Sequence, residues 1–349
     1  MSRLARSTLA ALVFAWLALG AANTHAQSAP QDIKIGFLLD SLKIERWQTD
    51  VNTFQKRAKE LGADTLVENA DGNDDVQLQQ AKKLLDAGVR SLVIIPHDTS
   101  KAARIVALAK EKSVPVISYD RLIRDAPIDL FVGVNYHEVG RLQAKYLTEL
   151  APKGNFVLLE GSPADLNAHL LREGQLEVLQ PFVERGSIKL VGDVWCTDWS
   201  PLEAYTHMQE IIAKSQGQID AVVASNDGTA TGALQALEEN KLAGKVFVSG
   251  QDADLVAILR LLQGTQSMTV YKPVLSIATR AAEAVVALAN GQPPKTASTI
   301  SVGDRKVPAI LGSAIVVTKY NILQTVIKDG FQNLDTIKKS LPEEQWPKE

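Results

Sequence analysis

The segment SLVIIPHDTSKAARIVALAKEKSVPVISYDR, residues 91–121, decides the fold. It predicts a strand in SLVIIP, a helix over 100–112 and a second strand in VPVISYD, residues 114–120. Short apolar strands joined by amphipathic helices are typical of parallel sheets that are covered on both faces. The segment therefore predicts an α/β protein built on a parallel sheet.

The same alternation continues on both sides of this segment. The pattern predicts strands over 33–40, 64–69, 155–161, 188–195, 219–227 and 245–252, and helices over 47–61, 74–87, 168–185, 201–215 and 229–240. In the second half, IDAVVASNDGTATGALQALEENKLAGKVFVSGQDAD, residues 219–254, repeats the organisation of 91–121. We therefore expect two doubly wound parallel-sheet domains.

The length of the chain also favours two domains. After removal of a signal peptide, about 320 of the 349 residues remain, which exceeds what one hydrophobic core usually supports. A strand in 266–273, a helix over 274–290 and the late segment IVVTKYNI, residues 315–322, predict that the chain returns between the halves. We expect a multi-strand hinge, with domains of 32–137 plus 272–303 and of 138–271 plus 304–340.

The first 26 residues have the features of a secretory signal peptide. Arg3 and Arg6 precede the apolar run LAALVFAWLALGAA, and THA ends at Ala26 with a small residue suited to cleavage. A membrane anchor is the alternative, but the run is short for a span of about 20 residues. We expect cleavage near Ala26 and a periplasmic protein.

The net charge limits which partners the protein can bind, and the cysteine content limits which disulfides it can form. Loss of Arg3 and Arg6 moves the formal net charge from −3 to −5, which disfavours nucleic acid and anionic membranes as partners. The single cysteine, Cys196, excludes an internal disulfide. We expect Cys196 to be a buried apolar residue.

Polar and aromatic residues collect at the ends of the predicted strands, where ligands bind in open parallel sheets. Carboxylates, amides and basic side chains can hydrogen-bond the hydroxyls of a sugar, and tryptophan covers its C–H face. Asp98 and Asp227 are also expected to cap helices. The candidates are Asp40, Glu45, Arg46, Trp47, His97, Asp98, Asp120, Arg121, Asp165, Asn167, Trp195, Asp198, Trp199, Asn226, Asp227, Asp252 and Lys272.

Other chemistries lack their motifs. No pair of acids is marked as a glycosidase pair, and the five histidines are scattered without a metal-ligand spacing. Neither a Walker-type loop nor a dinucleotide-binding glycine motif is present, so we expect no cofactor and no enzymatic activity.

The chain resembles the periplasmic sugar-binding proteins of ATP-driven importers, in the ribose-type group. The resemblance covers about 32–335 and is carried by the stretches ERWQ, VIIP, YDR, GSPADLNA, ASNDGTATGA, SGQDADL, GTQSMTVYKP and VIKDGF. It implies a type I periplasmic binding protein fold, with three hinge strands and domains that close over the sugar. It also implies a membrane permease of an ABC importer as partner, and we expect a monomer.

The resemblance implies a set of ligand-binding residues. They are Arg46, Trp47, Asp120, Arg121, Asp165, Asn167, Trp199, Asn226, Asp252 and Lys272. Leu166 and His97 depart from types that relatives often carry, and we expect both to influence which sugar fits.

The two tryptophans bear on the identity of the sugar. A ring held between Trp47 and Trp199 favours a pyranose with only equatorial hydroxyls, which among pentoses is β-xylopyranose. D-xylose is therefore the expected ligand, with another pentose or hexose as the alternative. A sugar-responsive transcriptional regulator shares the expected core, but it would carry a helix-turn-helix where this chain has its signal sequence.

Overall fold

The computed structural model describes residues 33–44, 46–296, 298–302 and 304–348. The predicted signal peptide and Glu45 lie outside these residues. The strands, in chain order, are β1 Ile33–Leu39, β2 Ala63–Asn69, β3 Ser91–Ile94, β4 Val116–Tyr119, β5 Leu130–Val134, β6 Gly154–Glu160, β7 Ile188–Trp195, β8 Ala221–Ala224, β9 Phe247–Val248, β10 Thr269–Tyr271, β11 Ser298–Val302, β12 Arg305–Gly312 and β13 Ile315–Val317.

Ten α-helices accompany these strands in the described part of the chain. They are α1 Arg46–Glu60, α2 Asp74–Asp86, α3 Ala103–Glu111, α4 Tyr136–Leu150, α5 Leu166–Glu184, α6 Pro201–Ser215, α7 Asp227–Glu239, α8 Leu255–Gln263, α9 Val274–Ala289 and α10 Leu334–Ser340. Across the same residues, no helix combines the length and the apolar character needed to cross a membrane.

Two parallel sheets form the frame. The first has the order β11-β12-β5-β4-β3-β1-β2, and only β11 runs antiparallel to its neighbour. The second has the order β7-β6-β8-β9 and is parallel throughout. The predicted α/β class with two doubly wound parallel sheets is confirmed.

A third, two-stranded sheet pairs β10 with β13 in antiparallel register. Gln251, which follows β9, adds a single parallel bridge to Val270 of β10. The late segment 315–322 thus contains a strand that pairs with the one predicted in 266–273.

The placement of β12 differs from the predicted domain boundary. Ala309, Ile310, Leu311 and Gly312 pair with β5, so this strand belongs to the first sheet. The prediction assigned residues 304–340 to the second domain. The physical reason is long-range: the free edge of β5 accepts a parallel strand from far along the chain, and no local pattern encodes that pairing.

Each sheet buries both faces, as parallel sheets usually do. Along β1, Phe37 packs into one core cluster with Phe54 of α1, while its neighbour Leu38 packs into another with Leu84 of α2. In the second sheet, Leu159 and Leu158 divide in the same way between clusters that involve α6 and α7 on one face and α4 and α5 on the other. Successive residues thus anchor helices on opposite faces.

Helix boundaries follow local chemistry. Ser200 caps α6 by accepting from the backbone N–H of Glu203, and Pro201 occupies the first helical position, where its missing N–H costs nothing. After α1, Gly62 adopts a φ of 79°, which most side chains resist, and this ends the helix where the sequence predicted.

Candidate functional site

One cavity of about 280 Å³ brings all ten predicted ligand residues together. The lining comes from loops and helix N-termini that follow strands of the first, second and third sheets. It consists of Ile44, Arg46, Trp47, Asp120, Arg121, Tyr136, Asp165, Asn167, Trp199, Asn226, Gln251, Asp252 and Lys272.

Arg46, the first residue of α1, is held by carboxylates on two elements. Its Nε and Nη2 donate to Asp50, one helical turn later, at 3.1 and 3.2 Å, and its Nη1 donates to Asp120 Oδ2 at 2.7 Å. The Tyr119 hydroxyl donates to Asp50 from the other side. Burial disfavours the charge of Arg46, but Asp120 and Asp50 outweigh it and raise its pKa. The guanidinium is therefore fixed and charged.

Asp120 stays ionised inside the cavity wall. Burial alone would raise its pKa, but the charges of Arg46 and Lys272 lower it to about 2. An ionised carboxylate can only accept hydrogen bonds, so Asp120 is suited to hydroxyl donors.

Arg121 joins loops of the two parallel sheets. Its Nε lies 2.7 Å from Asp165 Oδ2, and its Nη1 donates to Asp40 Oδ2 at 2.8 Å and to the carbonyl of Pro96 at 3.0 Å. Asp40 and Pro96 follow strands of the first sheet, whereas Asp165 follows β6 of the second. The arginine fork thus spans the cavity wall.

Asp165 also organises its own loop. Its Oδ1 accepts from the backbone N–H of Asn167 at 2.9 Å and so caps α5, and its Oδ2 accepts from Trp199 Nε1 at 3.2 Å. The cap fixes Asn167, whose Nδ2 donates to the carbonyl of Asp120 at 3.2 Å. In this arrangement of the loops, these contacts hold polar side chains from both sheets in position.

The two tryptophans are held by close neighbours. The Trp47 ring centroid lies 4.6 Å from the guanidinium carbon of Arg46 and 5.9 Å from that of Arg121. The Trp199 ring packs on Gly161, where a Cβ atom would lie only 2.3 Å from Trp199 Cη2. Both rings therefore have little freedom to move away from the cavity.

Asn226, Asp252 and Lys272 complete the lining. Asn226 Oδ1 accepts from the backbone N–H of Thr229 at 2.8 Å, and Thr229 returns a bond to the Asn226 N–H in a capping box on α7. Lys272 Nζ lies 2.8 Å from Asp252 Oδ1, which is also 3.7 Å from Arg46 Nη1. The cavity thus alternates acids and bases around its wall.

Backbone strain collects at the same place. Asp120, Trp199 and Asp252 have φ values of 62°, 59° and 103°, in the region that favours glycine. Such conformations cost about 1–3 kcal/mol each, persist where the surroundings enforce them, and cluster at functional sites. The strain aims these three side chains into the cavity.

Several buried polar atoms of the lining have no hydrogen-bond partner in the described part of the chain. An unsatisfied buried donor or acceptor costs about 1–3 kcal/mol, and native proteins keep few of them. They suit a ligand that both donates and accepts. These atoms include Trp47 Nε1, Tyr136 Oη, Asn167 Oδ1 and Gln251 Oε1.

Three candidates lie beside the cavity rather than in it. Asp40, His97 and Asp198 line a neighbouring space, together with Lys43 and Ser162. His97 Nδ1 is 2.9 Å from Asp40 Oδ1, and its Nε2 is 3.7 Å from Asp198 Oδ1 across the two sheets. The hydrogen bond to Asp40, with the charges of Asp40, Asp74 and Asp198, raises the pKa of His97 although burial opposes it.

The two positions expected to influence the choice of sugar lie outside the main lining. Leu166 begins α5 and is absent from the lining residues, as is His97. A direct steric role for either residue in this cavity is therefore not supported.

Both helix-cap predictions are wrong. Asp98 accepts from the backbone N–H groups of Ser100 and Lys101 at 2.8 and 3.0 Å, but these lie in the turn before α3, whose N-cap is Ala102 and has no side-chain cap. The cap of α7 is Asn226, so the prediction for Asp227 is wrong. Asp227 points away from the helix end and accepts from Gln266, Thr269 and the Asp254 N–H. Burial, followed by the charge of Asp252, raises the pKa of Asp227 to about 7.

The remaining candidates have structural surroundings. Trp195 packs against His169, with ring centroids 4.6 Å apart. Cys196 is fully buried in the core of the second sheet, as predicted, and burial raises the pKa of its thiol to about 12. No group of three or more metal-binding side chains occurs among the described residues.

The sequence interpretation missed Ile44, Tyr136 and Gln251. Tyr136 begins α4, an element that was not predicted. Gln251 stands directly before Asp252 at the end of a predicted strand, and its position there could have marked it.

The matching family defines the class: the chain belongs to the periplasmic binding protein family, whose domain profile matches residues 35–293. It is 47% identical over 308 residues to the D-xylose-binding periplasmic protein of Escherichia coli, covering 88% of this chain and 93% of that protein. It is 42% identical over 320 residues to the D-xylose-binding periplasmic protein of Haemophilus influenzae, covering 91% and 96%.

The fold is shared with solved sugar-bound proteins. An ABC transporter solute-binding protein from Clostridium phytofermentans, solved with bound β-D-glucose, superposes with a TM-score of 0.82 at 27% identity. The match covers 87% of this chain and 100% of that one.

Proposed function

We propose that this protein is a periplasmic solute-binding protein that captures D-xylose between two closing domains and delivers it to the permease of an ABC importer. The family and its two D-xylose-binding relatives support the class of ligand. The single observation that carries the proposal is the cavity in which ten predicted residues from separate sheets meet.

The chemistry of the lining suits a small polyhydroxylated ligand. Arg46 and Lys272 supply donors, Asp120 supplies a permanently ionised acceptor, and Asn226 keeps an amide N–H2 after its oxygen has capped α7. A neutral sugar adds no charge to balanced ion pairs, so it can enter without leaving an unpaired ion buried.

The two tryptophans favour xylose over its isomers. A sugar ring held between Trp47 and Trp199, which both line the cavity, would meet aromatic carbon on both faces. β-Xylopyranose directs all its hydroxyls outward to polar partners. Arabinose and ribose each direct an axial hydroxyl at an aromatic face, at a cost of about 1–3 kcal/mol, or about 5- to 150-fold in affinity.

We also propose the division into domains. One domain consists of residues 32–137 and 272–303 together with strand 305–312. The other consists of residues 138–271 and 313–340. The two-stranded sheet of β10 and β13 would belong to the hinge, because its strands adjoin the crossings between the parallel sheets. The ligand residues are then divided between domains, so neither domain alone completes the site.

The same proposal covers location and partners. The protein acts in the periplasm after cleavage near Ala26, as a monomer, with an ABC permease as its membrane partner. It carries no cofactor, catalyses no reaction and binds no nucleic acid.

A thermal-shift panel tests the proposal. A ligand that binds only the folded protein stabilises it by about 2.7 kcal/mol at 100 times its Kd, so D-xylose should raise the melting temperature of refolded, sugar-free protein. The panel includes glucose, ribose, arabinose and operator-like duplex DNA. A higher melting temperature with DNA, and no change with any sugar, would instead favour the alternative function as a transcriptional regulator.

A further inference from the structure

Tyr136 is a cavity residue with an unusual environment. It is the first residue of α4 and follows Asn135, whose side chain caps the helix by accepting from the Glu138 N–H at 3.2 Å. Because α4 follows β5, the ring stands at the carboxyl end of the first sheet, where it is 3% exposed and lines the cavity.

Two charged groups flank the ring. Lys272 Nζ lies 5.2 Å from the ring centroid, within the range of a cation–π contact, and the same ammonium pairs with Asp252. The hydroxyl is near the Asp120 carboxylate. Burial, followed by the charge of Asp120, raises the pKa of Tyr136, so the hydroxyl keeps its proton and can donate.

The hydroxyl is close to the Asp120 carboxylate, yet it makes no well-aligned hydrogen bond with that group or with any other in the described part of the protein. Tyrosine hydroxyls usually find a partner when they are buried. A phenylalanine would fill the same space and keep the contact with Lys272 without burying an unsatisfied group. The hydroxyl is therefore better explained by a ligand than by packing.

We propose that Tyr136 is a further specificity-determining residue, whose hydroxyl hydrogen-bonds the sugar hydroxyl that also reaches Asp120. This inference rests on the proposed function. Asp120 accepts from that sugar hydroxyl, and Tyr136 donates to its oxygen, so both its hydrogen-bonding roles are satisfied. A ligand that lacks the hydroxyl at this position leaves both protein groups unpaired.

The test removes the hydroxyl and keeps the ring. Tyr136→Phe is titrated calorimetrically with D-xylose and with the single-deoxy derivatives of xylose. The matched control is Tyr271→Phe, because Tyr271 is also fully buried, but it packs beside Phe331 and does not line the cavity.

Tyr136→Phe should weaken xylose binding about 5- to 150-fold, and Tyr271→Phe should leave it unchanged. One deoxy sugar should lose less affinity in Tyr136→Phe than in the wild type, since the variant has already lost that contact. A merely structural role would not produce this selective coupling.

Two results would overturn the inference. One is a Tyr136→Phe variant that binds xylose as tightly as the wild type, with or without a lower melting temperature. The other is an equal affinity loss for every deoxy sugar in variant and wild type. A wild-type protein that binds no sugar would instead refute the proposed function, and this outcome is visible without any variant.

Discussion

Arg121 Nε and Asp165 Oδ2 lie 2.7 Å apart and connect the loop after β4 with the loop after β6. Both side chains are almost fully buried, at 4% and 2% exposure. Removing one partner of such a buried pair leaves the charge of the other buried and uncompensated. If the two loops separate instead, water can solvate both charges. The contact is therefore one that opening of the two domains would release and closing would restore.

Sugar binding is expected to shift the protein toward the arrangement in which these loops meet. A ligand changes a conformational equilibrium only through contacts that are better in one state, and here its partners are divided between sheets. Small-angle scattering should give a smaller radius of gyration with saturating xylose than without sugar. Identical scattering profiles would contradict closure, and mannitol at the same concentration controls for solvent effects.

Arg121→Lys should weaken xylose binding by about 1–3 kcal/mol, or about 5- to 150-fold. A lysine ammonium cannot reproduce the planar fork that reaches Asp40, Pro96 and Asp165 together. The melting temperature of the sugar-free protein should change little, because lysine can still pair with Asp40.

Calorimetry and thermal unfolding of this variant provide the check. The control is Arg172→Lys, whose guanidinium bridges Asp193 and Glu160 away from the cavity. A collapse of the sugar-free protein would make Arg121 a structural ion-pair residue instead.

Gly161→Ala should weaken xylose binding although it replaces no residue that lines the cavity. The new Cβ would lie 2.3 Å from Trp199 Cη2 and Cζ3, so the ring must move from its position against the cavity. Titration calorimetry measures the loss, which is expected to reach several-fold. In the control Gly192→Ala, the Cβ crowds Ile211 at 2.5 Å and Val157 at 3.3 Å, and neither residue lines the cavity, so binding should be retained. Equal affinities for both variants would show that the position of Trp199 is unimportant.

His97 predicts a pH dependence of stability. Its pKa is raised in the folded protein, chiefly by the hydrogen bond to Asp40. The resulting stabilisation is complete below about pH 6.5, the ordinary value for histidine, and is lost as the pH rises through the raised value. The free energy of unfolding should therefore fall over this window in the wild type and fall less in His97→Gln.

Urea denaturation of sugar-free protein at a series of pH values measures this slope. His207→Gln is the control, because His207 contacts only the backbone carbonyl of Trp195 among the hydrogen bonds of the described residues. Superimposable profiles for wild type and His97→Gln would refute the assignment to His97.

The local sequence pattern was sufficient to predict most of the strands and helices of the two parallel sheets. Strand β7 and helix α6 lie at the predicted residues, because each is bounded by clear turn or capping chemistry. The pattern missed the β5–α4 unit, α8 and the β11–β12 hairpin. Assigning β12 to the first sheet requires a long-range pairing with β5, which no window of sequence contains.

The site was more predictable than its details. Parallel strands bring their carboxyl ends to one edge, so polar residues that follow them meet in space. Other features of the site depend on tertiary packing, so the local sequence does not reveal them. They are the strained backbones of Asp120 and Asp252 and the unpaired hydroxyl of Tyr136. Asp227 was wrongly predicted as the cap of α7 because two adjacent residues could each cap the helix. The position at which the helix begins makes Asn226 the cap.

The most direct test of the central claim is titration calorimetry of refolded, sugar-free protein with xylose, glucose, ribose and arabinose. The account predicts that xylose binds tightest, that glucose is the strongest secondary ligand, and that ribose and arabinose bind weakest. Each axial hydroxyl directed at Trp47 or Trp199 should cost about 1–3 kcal/mol. Ribose or arabinose binding more tightly than xylose would contradict the tryptophan sandwich and the assignment of xylose.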